Sequence, residues 1–179
     1  MSLKPWKRIS SEIVQRNPWW EYRKDELIDG KGNVYDWHYL CNNGGVVIVG
    51  MNDEGKIPMV RQFRPTLMTF TTEFPAGIIE DGDDIATRAV LEMREEVKYE
   101  PKDLIFVGKM ASDPGKVNSY GHIFVAKTLV HHPKEGDPTE DIEVLWFTPE
   151  EIDEKVKKGE IFDTWSISAW HLAKDHLKG

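Results

Sequence analysis

The sequence predicts an α+β protein: a mixed β-sheet layered with three helices, behind a small N-terminal antiparallel β unit. Three observations predict it. Short runs rich in Val, Ile, Phe and Trp recur between Gly, Pro and Asp punctuation, as strands do. Three other segments carry apolar residues or caps at helical spacing. The length, 179 residues, suits one domain or one domain with a small extension. The expected division is 1–43 for the N-terminal β unit and 44–179 for the larger domain.

In the first unit, "SSEIVQ", "WWEYRKDELI" and "NVYDWHYLC" read as strands, with "DGKG" as the turn between the last two. From Gly44 the runs "GGVVIVGM" and "KIPMVRQF" read as central strands joined in a hairpin across "NDEG". Further strands are expected at 104–111, 120–130 and 142–148. The clearest helix lies between Asp84 and Val97, where Ile85, Ala86, Ala89, Val90, Met93 and Val97 form one apolar arc. A second begins at Thr148 as N-cap, with Pro149 at the first helical position and Glu151 completing a capping box, and ends near Gly159. The last follows Asp163 or Thr164 as cap, with Ile167, Trp170 and Leu177 as core candidates.

Composition excludes several classes. The net charge of −8, with lysines and arginines scattered, offers no face for nucleic acid. No apolar run approaches the roughly 18 residues of a membrane span. The segment 1–15 has basic residues but no apolar region behind them, so a cytoplasmic address is expected. A single cysteine, Cys41, cannot form an internal disulfide or a thiolate zinc site and reads as a structural thiol. The six histidines lack zinc-ligand spacing, and no G-x-S-x-G elbow supports acyl-enzyme chemistry.

The informative stretch is "EFPAGIIEDGDDIATRAVLEMREEVKYEP", Glu73 to Pro101. At about 100° per residue, with Glu92 as origin, Glu96 falls at about +40° and Glu95 at about −60°, while the apolar arc centres near +100°. Three acids therefore share one face beside the buried stripe. Their mutual repulsion, roughly a few tenths of a kcal/mol per i,i+4 pair, would be offset by a divalent cation. The alternative is a solvated helix face. Upstream, "FPAG" offers a tight turn and a free carbonyl, an oxygen ligand of the kind Mg²⁺ takes.

These residues resemble the Nudix hydrolase box: Gly, five residues, Glu, seven residues, then Arg-Glu-apolar-x-Glu-Glu-x-Gly-apolar. Gly77 opens it, Glu92, Glu95 and Glu96 are in place, and Met93 and Tyr99 fill apolar positions. Asp83 stands for Glu, Leu91 for Arg and Lys98 for Gly. Arg88, four residues before Glu92 and at about −40° on the same wheel, is placed to supply the cation missing at Leu91. Lys98 would be strained by roughly 1 kcal/mol in a left-handed terminus, so the helix is expected to run on toward Pro101.

Further stretches, "MVRQFRPT", "SDPGKVNS" and "EDIEVLWFTPEEI", resemble the ADP-ribose and nucleoside-diphosphate-sugar pyrophosphatase branch of that family. The resemblance implies an α/β/α sandwich fold and hydrolysis of a diphosphate linkage, with ADP-ribose or GDP-mannose as the nucleotide-sugar substrate. It implies Mg²⁺, or Mn²⁺, on Glu92, Glu95, Glu96, Glu140 and the carbonyl of Ala76, with Glu95, Glu96 and Glu140 as catalytic carboxylates. Asp137 and Asp141 compete with Glu140 for the loop role. Arg64 would meet the diphosphate, for which a bidentate guanidinium is suited, with Gly115 in the loop that follows. Trp37 and Trp19 or Trp20 would stack on the base, an interaction tolerant of base identity. The N-terminal unit would form a homodimer. Two alternatives stand beside this reading: a Nudix-fold binding protein without turnover, suggested by the three departures, and hydrolysis of another dinucleotide such as NADH.

Overall fold

The computed structural model describes residues 3–136 and 141–177. Its elements in chain order begin with β1 (Lys7–Arg16), β2 (Glu21–Ile28), β3 (Val34–Cys41), β4 (Gly45–Gly50), β5 (Ile57–Arg64), β6 (Thr69–Glu73) and β7 (Ala76–Ile78). Then come α1 (Ile85–Glu92), a π-helical turn (Met93–Val97), β8 (Tyr99–Lys102), β9 (Ile105–Ala111), β10 (Val117–Asn118), β11 (Tyr120–Ala126) and β12 (Thr128–His131). After the loop lie β13 (Ile142–Phe147), α2 (Pro149–Lys158) and α3 (Thr164–Leu177). Two compact units form: Met1–Asn43 with Ala111–Ser119, and Gly44–Met110 with Tyr120–Gly179. Residues 111–119, read from sequence as part of the larger domain, thus pack with the N-terminal strands.

In the first unit β1, β2 and β3 are antiparallel, with Ser11 opposite Asp25 and Asp25 opposite Trp37. Short β10 adds to β3 in parallel, Val117 opposite Leu40. The expected "DGKG" turn forms because Asp29 Oδ1 accepts from the backbone N–H of Lys31 (2.8 Å) and Asn33 (2.9 Å), with Gly32 at φ +92°. Val34 and Trp37 of β3 are both exposed.

In the second unit the sheet runs β7-β4-β11-β9, with β11 parallel to β4 and β7 antiparallel to it. Strand alternation divides its side chains between two cores. Val47, Val49, Ile123 and Val125 face α3 through Ala169, Trp170 and Ala173, while Val46, Ile48, Phe124 and Ala126 face α1 and the π-turn through Ala89, Met93 and Val97. This is the helix, sheet, helix layering expected. A second sheet, β13-β5-β6, and the pair β12-β8 complete the unit.

Four expectations are corrected. Strands β4 and β5 do not pair with each other. The turn does form, with Asn52 Oδ1 accepting from Glu54 N (3.1 Å) and Lys56 N (2.9 Å). But β4 is apolar on both faces and wholly buried, so it takes a central place between β7 and β11 while β5 pairs with β6 and β13. The run at 120–130 is two strands, broken at exposed Lys127, where the chain leaves β4 and pairs with β8.

The box helix does not run on to Pro101. It ends at Lys98, in the left-handed region at φ 71°, whose N–H donates to Met93 O five residues back. Pro101 instead sits in β8 opposite Leu129. Finally, Ile167 is 39% exposed; α3 buries Ser166, Ala169, Trp170, Ala173 and Leu177. The cap of α2 is as expected, with the Thr148–Glu151 box, Pro149 in the first turn and Gly159 left-handed at its end.

Candidate active site

Local chemistry starts α1 where the box requires it. Asp84 is the N-cap, its Oδ1 accepting from Thr87 N at 2.8 Å, and Asp83 Oδ2 closes the preceding turn on Glu80 N at 2.9 Å. Asp83, which stands at the box's first acid, therefore has a turn-forming role in this chain.

The helix then carries Glu92 against Gly77 of β7. A Cβ at residue 77 would overlap the Glu92 carboxylate, so only glycine leaves room for it. Glu92 is 7% exposed, and Arg88 Nε lies 2.7 Å from its Oε1. The pair is close, but the Nε–H does not point along a hydrogen bond to a partner. It is thus a charge contact rather than an aligned hydrogen bond.

The π-turn widens the helix after Glu92, at the point where the next two acids follow. Glu96, also 7% exposed, accepts from Ala76 N at 3.2 Å through Oε2. Both buried carboxylates therefore converge on the Ala76–Gly77 backbone. Glu95 goes elsewhere: its carboxylate pairs with Lys134. Among the described residues, no group of three His, Cys, Asp or Glu side chains is set to hold a metal ion.

Even so, the donors fit a hard divalent cation. Two buried carboxylates are hard oxygen donors, and Mg²⁺ is commonly held by one or two carboxylates together with substrate phosphates.

A second cluster adjoins through β6. Arg64 donates from Nε to Glu73 Oε1 at 2.9 Å and from Nη2 to Glu73 Oε2, while Thr71 Oγ1 donates to Glu73 Oε1 at 2.5 Å. Burial alone would push the Glu73 carboxyl up, but the Arg64 guanidinium and Thr71 hydroxyl outweigh it and hold it below the usual carboxylate range. Arg64 also feels the charges of Glu96 and Asp163, which ties the two clusters together electrostatically.

Asp163 caps α3, with Oδ1 accepting from Ser166 N at 2.8 Å; its other oxygen, Oδ2, is buried without a hydrogen-bond partner. Desolvation pushes its pKa up. Ser166 Oγ in turn accepts from Phe74 N at 3.0 Å, fixing the start of α3 to the strand end that leads into Pro75 and Ala76.

Arg64, Ala76, Glu92 and Glu96 are thus brought together in the second unit. Trp19, Trp20, Trp37 and Gly115 belong to the first. There the Asn17 side chain accepts from the backbone N–H of both Trp19 and Trp20 at 2.9 Å, and Trp6 stacks on Tyr35 and meets Trp37 edge-on at 6.0 Å. Glu140 and Asp137 lie outside the described residues; Asp141 is exposed just before β13. Sequence reading missed Glu73, Thr71 and Lys134, and named Asp163 only as a candidate helix cap. For the first two a signal existed, since Thr71 and Glu73 alternate on one strand face opposite the strand that ends in Arg64.

Several known proteins are similar to this chain. The NUDIX domain matches residues 42–168. An ADP-ribose pyrophosphatase of Bacillus subtilis (strain 168) is 34% identical over 140 residues, covering 77% of this chain and 75% of that one. A methanol dehydrogenase activator of Bacillus methanolicus is 30% identical over 165 residues, covering 91% and 89%. The crystal structure of an ADP compounds hydrolase matches with a TM-score of 0.87 at 23% identity, over 100% of this chain and 97% of that one. The chain belongs to the Nudix family and is a hydrolase of the branch that holds the ADP-ribose pyrophosphatases.

Proposed function

We propose that this protein hydrolyses the diphosphate linkage of a nucleoside diphosphate sugar, ADP-ribose or GDP-mannose, to a nucleoside monophosphate and a sugar phosphate, with Mg²⁺ as cofactor and Mn²⁺ as a substitute. One observation carries the reading: the buried carboxylates of Glu92 and Glu96 meet at the Ala76–Gly77 backbone, with Arg64 electrostatically coupled to Glu96. The relatives named ADP-ribose pyrophosphatase and ADP-sugar pyrophosphatase support the substrate class.

Glu92, Glu96 and the Ala76 carbonyl would hold the cation, which supplies charge neutralisation at the diphosphate and a more acidic water. Arg64, oriented by Glu73, offers its guanidinium to phosphate oxygens. A carboxylate of the set Glu95, Glu96 and Glu140 receives the proton of the attacking water. Arg88, against Glu92, stands in for the arginine absent at Leu91.

The base is assigned to Trp37 with Trp19 or Trp20, and Gly115 to the substrate loop. The N-terminal unit, 1–43, would join two copies as a homodimer, a reading supported by Ile9, Ile13, Val14, Trp19 and Val34, all exposed on that unit. Among the described residues no helix is long and apolar enough to cross a membrane; a cytoplasmic address is part of the proposal.

The deciding experiment is phosphate-coupled turnover of ADP-ribose and GDP-mannose with and without Mg²⁺, wild type beside Glu96→Gln. Metal-dependent turnover abolished in the variant is the expected result. Tight nucleotide-sugar binding without turnover in either protein would instead identify a binding module, and turnover of NADH alone would change the substrate.

A further inference from the structure

Lys98 occupies a position that glycine fills without strain. At φ 71° its Cβ is strained, and a conformation of that kind persists only where surrounding contacts determine it. The contacts are specific. Lys98 Nζ donates to Glu95 O at 2.7 Å and to Lys134 O at 2.9 Å, so one ammonium joins the end of the π-turn to the segment after β12.

That segment is bound again on either side. Lys134 N donates to Arg94 O at 3.1 Å, His132 N to Lys98 O at 3.0 Å, and Arg94 Nε to His132 O at 3.2 Å. The Lys134 ammonium pairs with the Glu95 carboxylate, which directs that acid toward this segment. Glycine at 98 would relax the backbone but could make neither side-chain bond. The last carbonyls of a helix lack intrahelical donors and favour a cation, and here the cation is built into the terminating residue itself.

We propose that Lys98 is a positioning residue of the metal site. Its ammonium fixes the Glu95 peptide, and with it the adjacent Glu96, whose buried carboxylate reaches Ala76 N. In this structure the Glu95 carboxylate pairs with Lys134. The inference rests on the reading that Glu92 and Glu96 hold a divalent cation, and it assigns the departure from glycine a function in the same site.

The test is Mn²⁺ binding to the full chain, followed by the electron paramagnetic resonance signal of free Mn²⁺, for wild type, Lys98→Met, Lys98→Gly and Lys98→Arg. Thermal unfolding of each metal-free protein is recorded alongside. Lys98→Met keeps the stem and the backbone strain and loses only the charge; Lys98→Gly loses both, and its backbone favours the left-handed turn.

Both are expected to bind Mn²⁺ about 10- to 100-fold more weakly while remaining folded, the range typical of groups that orient metal ligands. Lys98→Arg is expected to recover most of the loss. Wild-type affinity in both Lys98→Met and Lys98→Gly, with or without a lower melting temperature, would overturn the proposal and leave Lys98 a helix cap alone. Absence of Mn²⁺ binding in the wild type would instead overturn the metal-site reading on which it rests.

Discussion

The carboxylate of Glu92 occupies the space that a side chain at Gly77 would fill. The box glycine and the box glutamate are therefore one steric unit, fifteen positions apart in the chain and joined by the packing of α1 on β7. Gly77→Ala should displace Glu92 and lower Mg²⁺-dependent turnover by about 100-fold, the scale expected for an ångström-sized misplacement. Steady-state kinetics alongside a melting curve checks this, since a folded variant with near-normal kcat would show that Glu92 can move without consequence.

Arg88 lies against Glu92, where Leu91 cannot serve. Arg88→Ala is expected to weaken divalent-cation affinity and turnover together by about tenfold, as loss of a group orienting a ligand does. Isothermal titration with Mn²⁺ beside turnover decides it; no change in either assigns the compensation to another residue.

Arg64 is aimed by Glu73 rather than free to sample rotamers. Glu73→Gln should raise KM for the nucleotide sugar more than it lowers kcat, because the guanidinium is retained but loses its orienting charge. Lys in place of Arg64 should do worse, having no fork to present to two phosphate oxygens.

The same pair sets a pH dependence. Glu73 is held below its ordinary value of 4.5, so it contributes stability above that pH which is lost as acid protonates it through its lower folded value. Urea midpoints of wild type should fall on acidification through this window, and those of Glu73→Gln should fall less. Asp163, raised first by desolvation and further by the Glu73 charge, acts in the opposite sense, and Glu73→Gln relieves the second of these.

Ser166 connects the start of α3 to Phe74, buried at both ends. Ser166→Ala should destabilise the fold by about 1–3 kcal/mol through the unsatisfied Phe74 N–H. The effect is to be read from chemical denaturation. Turnover of the remaining folded enzyme should change far less than in Gly77→Ala, since Ser166 is not itself in reach of the substrate in the proposed mechanism.

By itself the sequence determined much of what depends on local pattern. The arc Ala89, Met93 and Val97 gave the box helix and its buried side, Thr148 and Glu151 its neighbour's start, and "DGKG" and "NDEG" their turns, because caps, periods and Asx turns act over a few residues. The position of Glu92 and Glu96 on one side of that helix was legible for the same reason.

Only tertiary structure decided who pairs with whom. Whether β4 meets β5 or β11 depends on competition among strands for burial on two faces, a contest between residues some seventy positions apart. It also decided that Glu95 turns to Lys134, that Glu73 holds Arg64, and that Lys98 ends the helix where a strained residue was expected to be avoided. The local cost at Lys98 is fixed by its Cβ and one acceptor, Glu95 O, lies in the turn just before it, but the second acceptor, Lys134 O, comes into range only once β12 has packed against β8 and brought the distant chain back.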